Sequence, residues 1–243
     1  MKYSIIISAY NQKYKFKKIL AAWKDQTVQD FEIIVGDDGS SDGLGHYLRN
    51  KKVKYYYQED KGYGFTSVMN EAAKLAEGDY LVFMNGDCFP DTFFLEEMDR
   101  VVKEDRVVNG VRMNIIWSTE EEVSADWRLT HTTAQIRSLI DLNVESFCVA
   151  NLHEQPWILM TLTTMVMPRK AFKEVGGLTP VYDGGYGKMD WSLAMKAFFS
   201  GYHLWYHLPA IVYHQYDKHP REDSEKNTLA FIEELNQWRQ KNH

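Results

Sequence analysis

Four short polar stretches in this chain each follow an apolar run or a glycine-rich turn. "FMNGDCFPD" delivers one acid, Asp87, at the end of the run 80–84, and "FEIIVGDDGSSDG" ends another run on Asp37 and Asp38. "GGYGKMDWSL" carries Asp190 out of a glycine turn, and "IVYHQYDKHP" places His214 and His219 after a third apolar run. A carboxylate on a rigid strand end can ligate a hard divalent cation through oxygen, and an imidazole can complete such a site. A carboxylate at the head of a helix can accept a proton from a reacting group. Each stretch also has a plainer reading. Asp and Ser at such positions cap helices, and a lone histidine beside tyrosines is often a packed, hydrogen-bonded one. Cys88 reads as a small packing residue, because a thiol among oxygen ligands suits a softer ion than manganese or magnesium.

The elements that must position these residues alternate in type. "YSIIISAY", "FEIIVGD", "VKYYYQED" and "DYLVFMNGD" predict four strands. Between them, "KYKFKKILAAWKDQ" predicts a helix with Phe16, Ile19, Leu20 and Trp23 on one face, "LGHYLRN" a short helix, and "TSVMNEAAKLAEG" a helix closed by Gly78. "PDTFFLEEMDRVVKED" predicts a helix with Pro90 near its start. This alternation implies an α/β fold with a mostly parallel central sheet flanked by helices, in which ligands bind at the carboxyl ends of the strands. Asp37, Asp38 and Asp87 all fall at such ends.

The second half is less regular. "VVNGVRMNIIW" predicts a strand, "STEEEVSADWRLTHTTAQIRSLIDL" a polar, partly helical excursion, and "WILMTLTTMVMP" an apolar run ended by Pro168. "RKAFKEVGGL" is a helix stopped by Gly176 and Gly177, "MDWSLAMKAFFSGY" a helix ending at Gly201, and "HLWYHLPAIVYH" strand material. A closing amphipathic helix presents Leu229, Ile232, Leu235 and Trp238. No clean boundary appears, so residues 1–243 read as one domain, with halves 1–110 and 111–220 and a final helix at 221–243.

Composition narrows the function classes. Of 243 residues, 44% are hydrophobic and 26% charged, which is a globular balance. A net charge of -6 gives no global basic field for duplex nucleic acid, though it leaves room for a local basic groove. Two cysteines form no disulfide framework and no paired-cysteine zinc motif. The opening "MKYSIIISAYN" is too short in apolar residues for a signal peptide, and no run reaches membrane-spanning length. A cytoplasmic location is the resulting expectation.

"SIIISAYNQ", "DFEIIVGDDGSSDG", "AEGDYLVFMNGDCFPD", "VGGL" and "GGYGKMDWSLAMKAFFSGYHLWY", with "VYH" after it, resemble in order and spacing the family 2 glycosyltransferases of GT-A fold. The later segments are similar to galactosyl- and N-acetylgalactosaminyltransferases that carry a Trp-Gly-Gly-Glu-Asp motif. The resemblance covers roughly residues 3 to 216 and leaves the closing helix outside. It implies a nucleotide-sugar-binding first half and an acceptor-binding, catalytic second half. Ser8, Ala9, Tyr10, Asp37 and Asp38 would hold the nucleobase and ribose of a nucleoside diphosphate-sugar, with UDP as the expected nucleotide. Asn85 and Gly86 stand in the Asp-x-Asp turn, where Asn85 replaces an acid and weakens cation binding without removing it. Asp87 and His214 would ligate Mn2+ or Mg2+, with His219 as a further ligand or phosphate contact. Gly185 and Tyr186 would touch the donor, and Asp190 would serve as general base for an inverting transfer to a glycan or glycoconjugate hydroxyl. Lys188 and Met189 replace a glycine and a glutamate of the motif, and Met69 stands where relatives carry a basic residue that Lys61 or Arg112 could replace. Trp157 and Trp191 are the candidate sugar platforms. Two other readings stay open: a hydroxylated nucleic-acid base as acceptor, and a non-catalytic nucleotide-sugar-binding paralogue.

Overall fold

In the computed structural model the described residues are 1–115, 146–215 and 223–241. His219, Trp117, Trp127 and the whole of the polar excursion lie outside them. The first half runs β1 (Tyr3–Ala9), α1 (Lys13–Lys24), β2 (Phe31–Asp37), α2 (Leu44–Leu48), β3 (Lys54–Tyr57), α3 (Phe65–Lys74) and β4 (Tyr80–Asn85). β5 (Cys88–Pro90), α4 (Phe94–Asp99), β6 (Arg106–Ile115), β7 (Ser146–Cys148), β8 (Met165–Pro168) and α5 (Arg169–Glu174) follow. The chain then forms α6 (Met189–Phe199), β9 (His203–Gln215) and α7 (Glu225–Lys241).

The described strands form one sheet in the order β3-β2-β1-β4-β8-β6-β9-β5, with β7 also on β9. β3, β2, β1 and β4 pair in parallel, and β6 pairs in parallel with β9. β8 enters antiparallel between β4 and β6, and β5 and β7 run antiparallel to β9. Both faces of the parallel strands are covered. Ile6, Ile34, Leu81 and Phe83 pack towards α3, α5, α6 and α7, while Ile5, Ile7, Val35, Val82 and Met84 pack towards α1 and α4. Strands buried on two faces need apolar side chains at every position, which is why "SIII" shows no alternation. Each such buried side chain contributes about 1.5–3 kcal/mol. α1 rests on the sheet through Phe16, Ile19 and Trp23, with Leu20 at the edge of the contact, as its periodicity predicts.

Several element ends differ from expectation. α3 stops at Lys74, and Gly78 serves a different purpose: a Cβ there would lie 2.7 Å from the backbone nitrogen of Ser4. Pro90 ends β5 instead of opening a helix, and α4 begins four residues later, where Phe94 N donates to Asp91 O. Only Met165–Pro168 of the run before Pro168 is strand, and Pro156–Leu159 is a short 3-10 turn. On α7, Phe231 and Leu235 are buried and Trp238 half-buried, but Leu229 and Ile232 are exposed. The buried face is therefore 227, 231, 235 and 238, with a polar residue, Asn227, at its head. The stops at Gly176, Gly177 and Gly201 stand as expected, each glycine at positive φ.

β6 and β9 shift register between Asn109 and Val111, and Gly110 lies so close to β9 that a Cβ on it would fall 2.3 Å from Ala210 O. Gly110→Ala is expected to destabilise the fold by about 1–3 kcal/mol through overpacking at this crossing. Urea unfolding of the two proteins checks this, and equal midpoints would show that the strands separate freely there.

Candidate active site

Strand register assembles the first cluster. β4 ends on Asn85, a tight turn at Gly86 follows, and β5 pairs with β9 so that Cys88 opposes His214. No side chain fits at Gly86, where a Cβ would lie 2.4 Å from Ser8 O and from Gln12 Oε1. The pairing brings Asp87 Oδ2 to 3.6 Å from His214 Nε2. Gln215 N donates to Asp87 O at 3.0 Å, which locks the turn to β9. On the other side of β9, Asn114 Oδ1 lies 3.0 Å from His214 Nδ1. An amide oxygen accepts, so this contact orients the ring with Nδ1 towards Asn114 and leaves Nε2 on the side of the carboxylate, the nitrogen that would face a bound cation.

Burial pushes the Asp87 carboxyl up, but its contact with the His214 ring and the nearby charges of His214 and Lys15 outweigh that and hold it below the usual range. Asp87, Cys88 and His214 offer ligand atoms that all lie within 4.8 Å of one another. Burial raises the Cys88 thiol well above its ordinary value, so the sulfur stays a protonated neighbour, 3.3 Å from Asp87 Oδ1. Two further oxygens nearby in the chain, Asn85 Oδ1 and Gln215 Oε1, are buried without a hydrogen-bond partner. A carboxylate, an imidazole lone pair and an orphaned amide oxygen are a donor set that fits a divalent cation such as manganese or magnesium.

The second cluster is the glycine turn. Gly184 and Gly187 take positive φ, and so does Lys188 at 72°, the position where the related motif carries glycine. Its Nζ lies 2.6 Å from Asp223 Oδ2 and 3.7 Å from the centroid of the Trp191 ring. Asp190 sits in the first turn of α6 and accepts from Trp191 N at 3.0 Å. Burial, helped by the charge of Asp223, pushes its carboxyl up to about 6 against the pull of backbone N–H groups and Lys188. A cleft lined by Asn85, Arg112, Thr161, Thr163, Tyr186, Asp190 and Trp191 joins this turn to the end of β4. Arg112 therefore lines the cleft, whereas Lys61 is exposed elsewhere and Met69 is buried in the core. Trp191 is a wall of the cleft. Trp157 is not: it is buried against Phe198 and Phe199 and offers no platform. Gly185 faces the closing helix, its missing Cβ 2.4 Å from Ser224 Oγ.

The third cluster stands at the ends of β1 and β2. Ser8 and Ala9 are paired with Gly36 and Asp37, and exposed Tyr10 donates to Asp60 Oδ2 at 2.9 Å. Asp37 accepts from Ser40 N at 2.8 Å and from Tyr55 OH at 2.6 Å. Asp38 accepts from Gln58 Nε2 at 2.6 Å and Gly64 N at 2.8 Å, and burial raises its carboxyl. Each carboxylate retains lone pairs beyond these bonds. The capping reading also holds here, at a third acid: Asp42 accepts from Lys13 N and Leu44 N, the first residues of α1 and α2.

Sequence reasoning missed Asp183. It accepts from Thr66 N and Oγ1 at 2.7 Å each, and from Ser67 N at 3.1 Å and Ser67 Oγ, so it caps α3 from the other half of the chain. Asn114, Thr161, Thr163 and Asn227 were missed as well. Only Asn114 carried a sequence signal, as a polar residue in an otherwise strand-like run.

Residues 4–173 match the family described as Glycosyl transferase family 2. Over 88 residues, 34% of this chain and 21% of the relative, the sequence is 35% identical to the validoxylamine A glucosyltransferase of Streptomyces hygroscopicus subsp. jinggangensis. Over 110 residues, 43% of this chain and 16% of the relative, it is 30% identical to the chondroitin synthase of Escherichia coli. The chain thus spans about a fifth of the length of such relatives. Among solved structures, S. aureus TarS 1-349 in complex with UDP superposes with a TM-score of 0.72 at 17% identity, covering 98% of this chain and 65% of that one. GalNAc-T7 with UDP, GalNAc and Mn2+ gives 0.70 at 17% identity, covering 97% and 48%. Among the described residues no helix is long and apolar enough to cross a membrane. With the family matched over most of its length and the sheet order and strand-end clusters in place, the chain belongs to the family 2 glycosyltransferases and has the GT-A fold.

Proposed function

We propose that this chain transfers a sugar from a UDP-sugar to a hydroxyl of a glycan or glycoconjugate, with inversion at the anomeric carbon. The observation that carries this reading is the pairing of Asp87 with His214 at 3.6 Å, two residues from Asn85, which shares a cleft with Asp190. The superposed structures, one in complex with UDP and one with UDP, GalNAc and Mn2+, support the donor class and the cation. Asp87 and His214 would hold manganese or magnesium, and the unpartnered Asn85 Oδ1, two residues before Asp87 in the chain, is a further candidate oxygen. Bound there, the cation supplies positive charge against the charge that grows on a diphosphate leaving group.

The remaining chemistry belongs to the chain. A carboxyl near 6 is ionised at neutral pH and still more basic than an ordinary aspartate, a suitable setting for a general base. The acceptor oxygen attacks the anomeric carbon and its proton passes to Asp190. The glycosidic bond breaks with its electron pair leaving on the diphosphate, and one displacement inverts the centre. Arg112 adds a positive charge along the cleft, and Tyr186 and Trp191 present ring faces and edges to a sugar. Lys188 is neutralised by Asp223 and shapes the wall.

Three results follow. Replacing Asp190 by Asn is expected to lower kcat by about 10²–10⁴-fold while UDP binding in manganese persists, as read by UDP release and calorimetry. Retention of the wild-type rate would remove Asp190 from the mechanism. Because the base must lose its proton, kcat/KM of the wild type is expected to rise with pH through about 6 and level off above it. A flat profile from pH 5 to 8 contradicts the assignment. Finally, His214→Ala is expected to weaken Mn2+ binding strongly, and Asn114→Ala, which leaves the ring unanchored, by about 10-fold or more. Titration of Mn2+ by electron paramagnetic resonance decides this, and unchanged affinity in both variants would place the cation elsewhere.

A further inference from the structure

The turn that carries Asp190 is bonded to the closing helix more extensively than packing requires. Asn227, fully buried near the start of α7, donates from Nδ2 to Tyr182 O at 3.1 Å and Gly187 O at 3.0 Å, one carbonyl on each side of the turn. Between these points Ser224 N donates to Tyr186 O at 2.9 Å, and Lys226 Nζ donates to Asp183 O at 2.7 Å. Further along the helix, Glu234 accepts from Tyr182 OH and from Ser192 Oγ, each at 2.6 Å. Ser192 lies two residues after Asp190, so both flanks of the acid are tied to α7. The fit is reciprocal: a Cβ on Gly185 would fall 2.9 Å from Asn227 Oδ1, so that glycine is required by the helix.

A segment with glycines at 184, 185 and 187 has large conformational freedom, and ordering it costs correspondingly more than ordering other residues. Buried carbonyls at 182 and 187 would also lose their partner without Asn227. We propose that α7 is a positioning element of the catalytic apparatus, with Asn227 as the positioning residue that holds the glycine turn and so aims Asp190 into the cleft. This rests on Asp190 acting as the base. Neither the Asp87–His214 pair nor the β1 and β2 ends touch α7 through these bonds, so the effect falls on turnover and spares UDP binding.

The test compares the full chain with Asn227→Ala, Ser192→Ala, Leu235→Ala and Asp190→Asn, measuring kcat for UDP-sugar turnover, UDP affinity in manganese, and Tm. Leu235 is buried on the same face of α7 and makes no bond to the turn, so its truncation reports the cost of loosening the helix alone. Asn227→Ala is expected to lose about 10–100-fold in kcat, as a misplaced group does, with UDP affinity within about threefold of wild type. Leu235→Ala is expected to lower Tm at least as much and keep most of its kcat. Asn227→Ala added to Asp190→Asn is expected to cost little more, because the acid it positions is already gone. The inference is overturned if Asn227→Ala and Leu235→Ala lose kcat in proportion to Tm, or if UDP binding falls together with kcat. Should Asn227→Ala fail to fold, Ser192→Ala decides by the same criteria, with a several-fold kcat loss and a displaced acid limb of the pH profile expected. An Asp190→Asn enzyme at wild-type rate beside a slow Asn227→Ala would overturn the base assignment and leave the clamp on the turn supported.

Discussion

The site depends on the register of β9. This strand is flanked by β6 along its length and by β5 and β7 on its other edge, and His214 lies where β5 and β6 both reach it. Cys88 opposes it on one side and Asn114 on the other, so one histidine meets a carboxylate turn and an orienting amide at once. A slip of one residue would turn the imidazole to the opposite face and separate it from Asp87. The shift at Gly110 is what allows β6 to follow β9 past Ala210 and keep the later pairs aligned. The Asp87–His214 geometry on which the proposed cation site rests is therefore stored in backbone pairing, which is far stiffer than a loop.

Two carboxylates in this molecule are driven in opposite directions by their surroundings. Asp87 stays low because an imidazole and a lysine charge outweigh its burial, and Asp190 rises because burial and Asp223 outweigh the N–H groups at its helix start. In the proposed reading the first stays an anion suited to a cation and the second is a proton acceptor tuned towards neutrality. Separation of paired acids by environment is how one fold supports both roles.

The halves are joined by polar contacts with little local logic. Asp183 caps α3, and Asn70 on α3 exchanges two hydrogen bonds with Leu178, through Nδ2 to its O at 2.7 Å and from its N at 2.8 Å. Gly184 N also donates to Tyr63 O at 2.6 Å. The second half of the chain is thus anchored on α3 in the first half, and α7 holds the glycine turn. Movement of any one of these three pieces would be felt at Asp190.

Legible in the linear order of residues were the strand-helix alternation of the first half, the strand ends that bear Asp37 and Asp87, and the glycine stops after α5 and α6. Those features are written in local terms: apolar runs, turn residues and glycines, which accept positive φ without the steric cost a side chain brings. The sequence also carried Asp87, Asp190 and His214 as candidates, through the order of motifs. It mistook Gly78 for a helix stop, Pro90 for a helix start and Trp157 for a platform, and it assigned Leu229 and Ile232 to a buried face they do not occupy. Each of these errors has one cause, since burial and close backbone approach are set by partners far away in the chain. Folding in three dimensions is what brings Asp87 to His214, sets Asn114 against the imidazole, and lets Asn227 bridge the glycine turn. Such contacts join residues about 40 to 127 positions apart, and no periodicity in a linear sequence encodes which distant side chain will satisfy a given buried polar group.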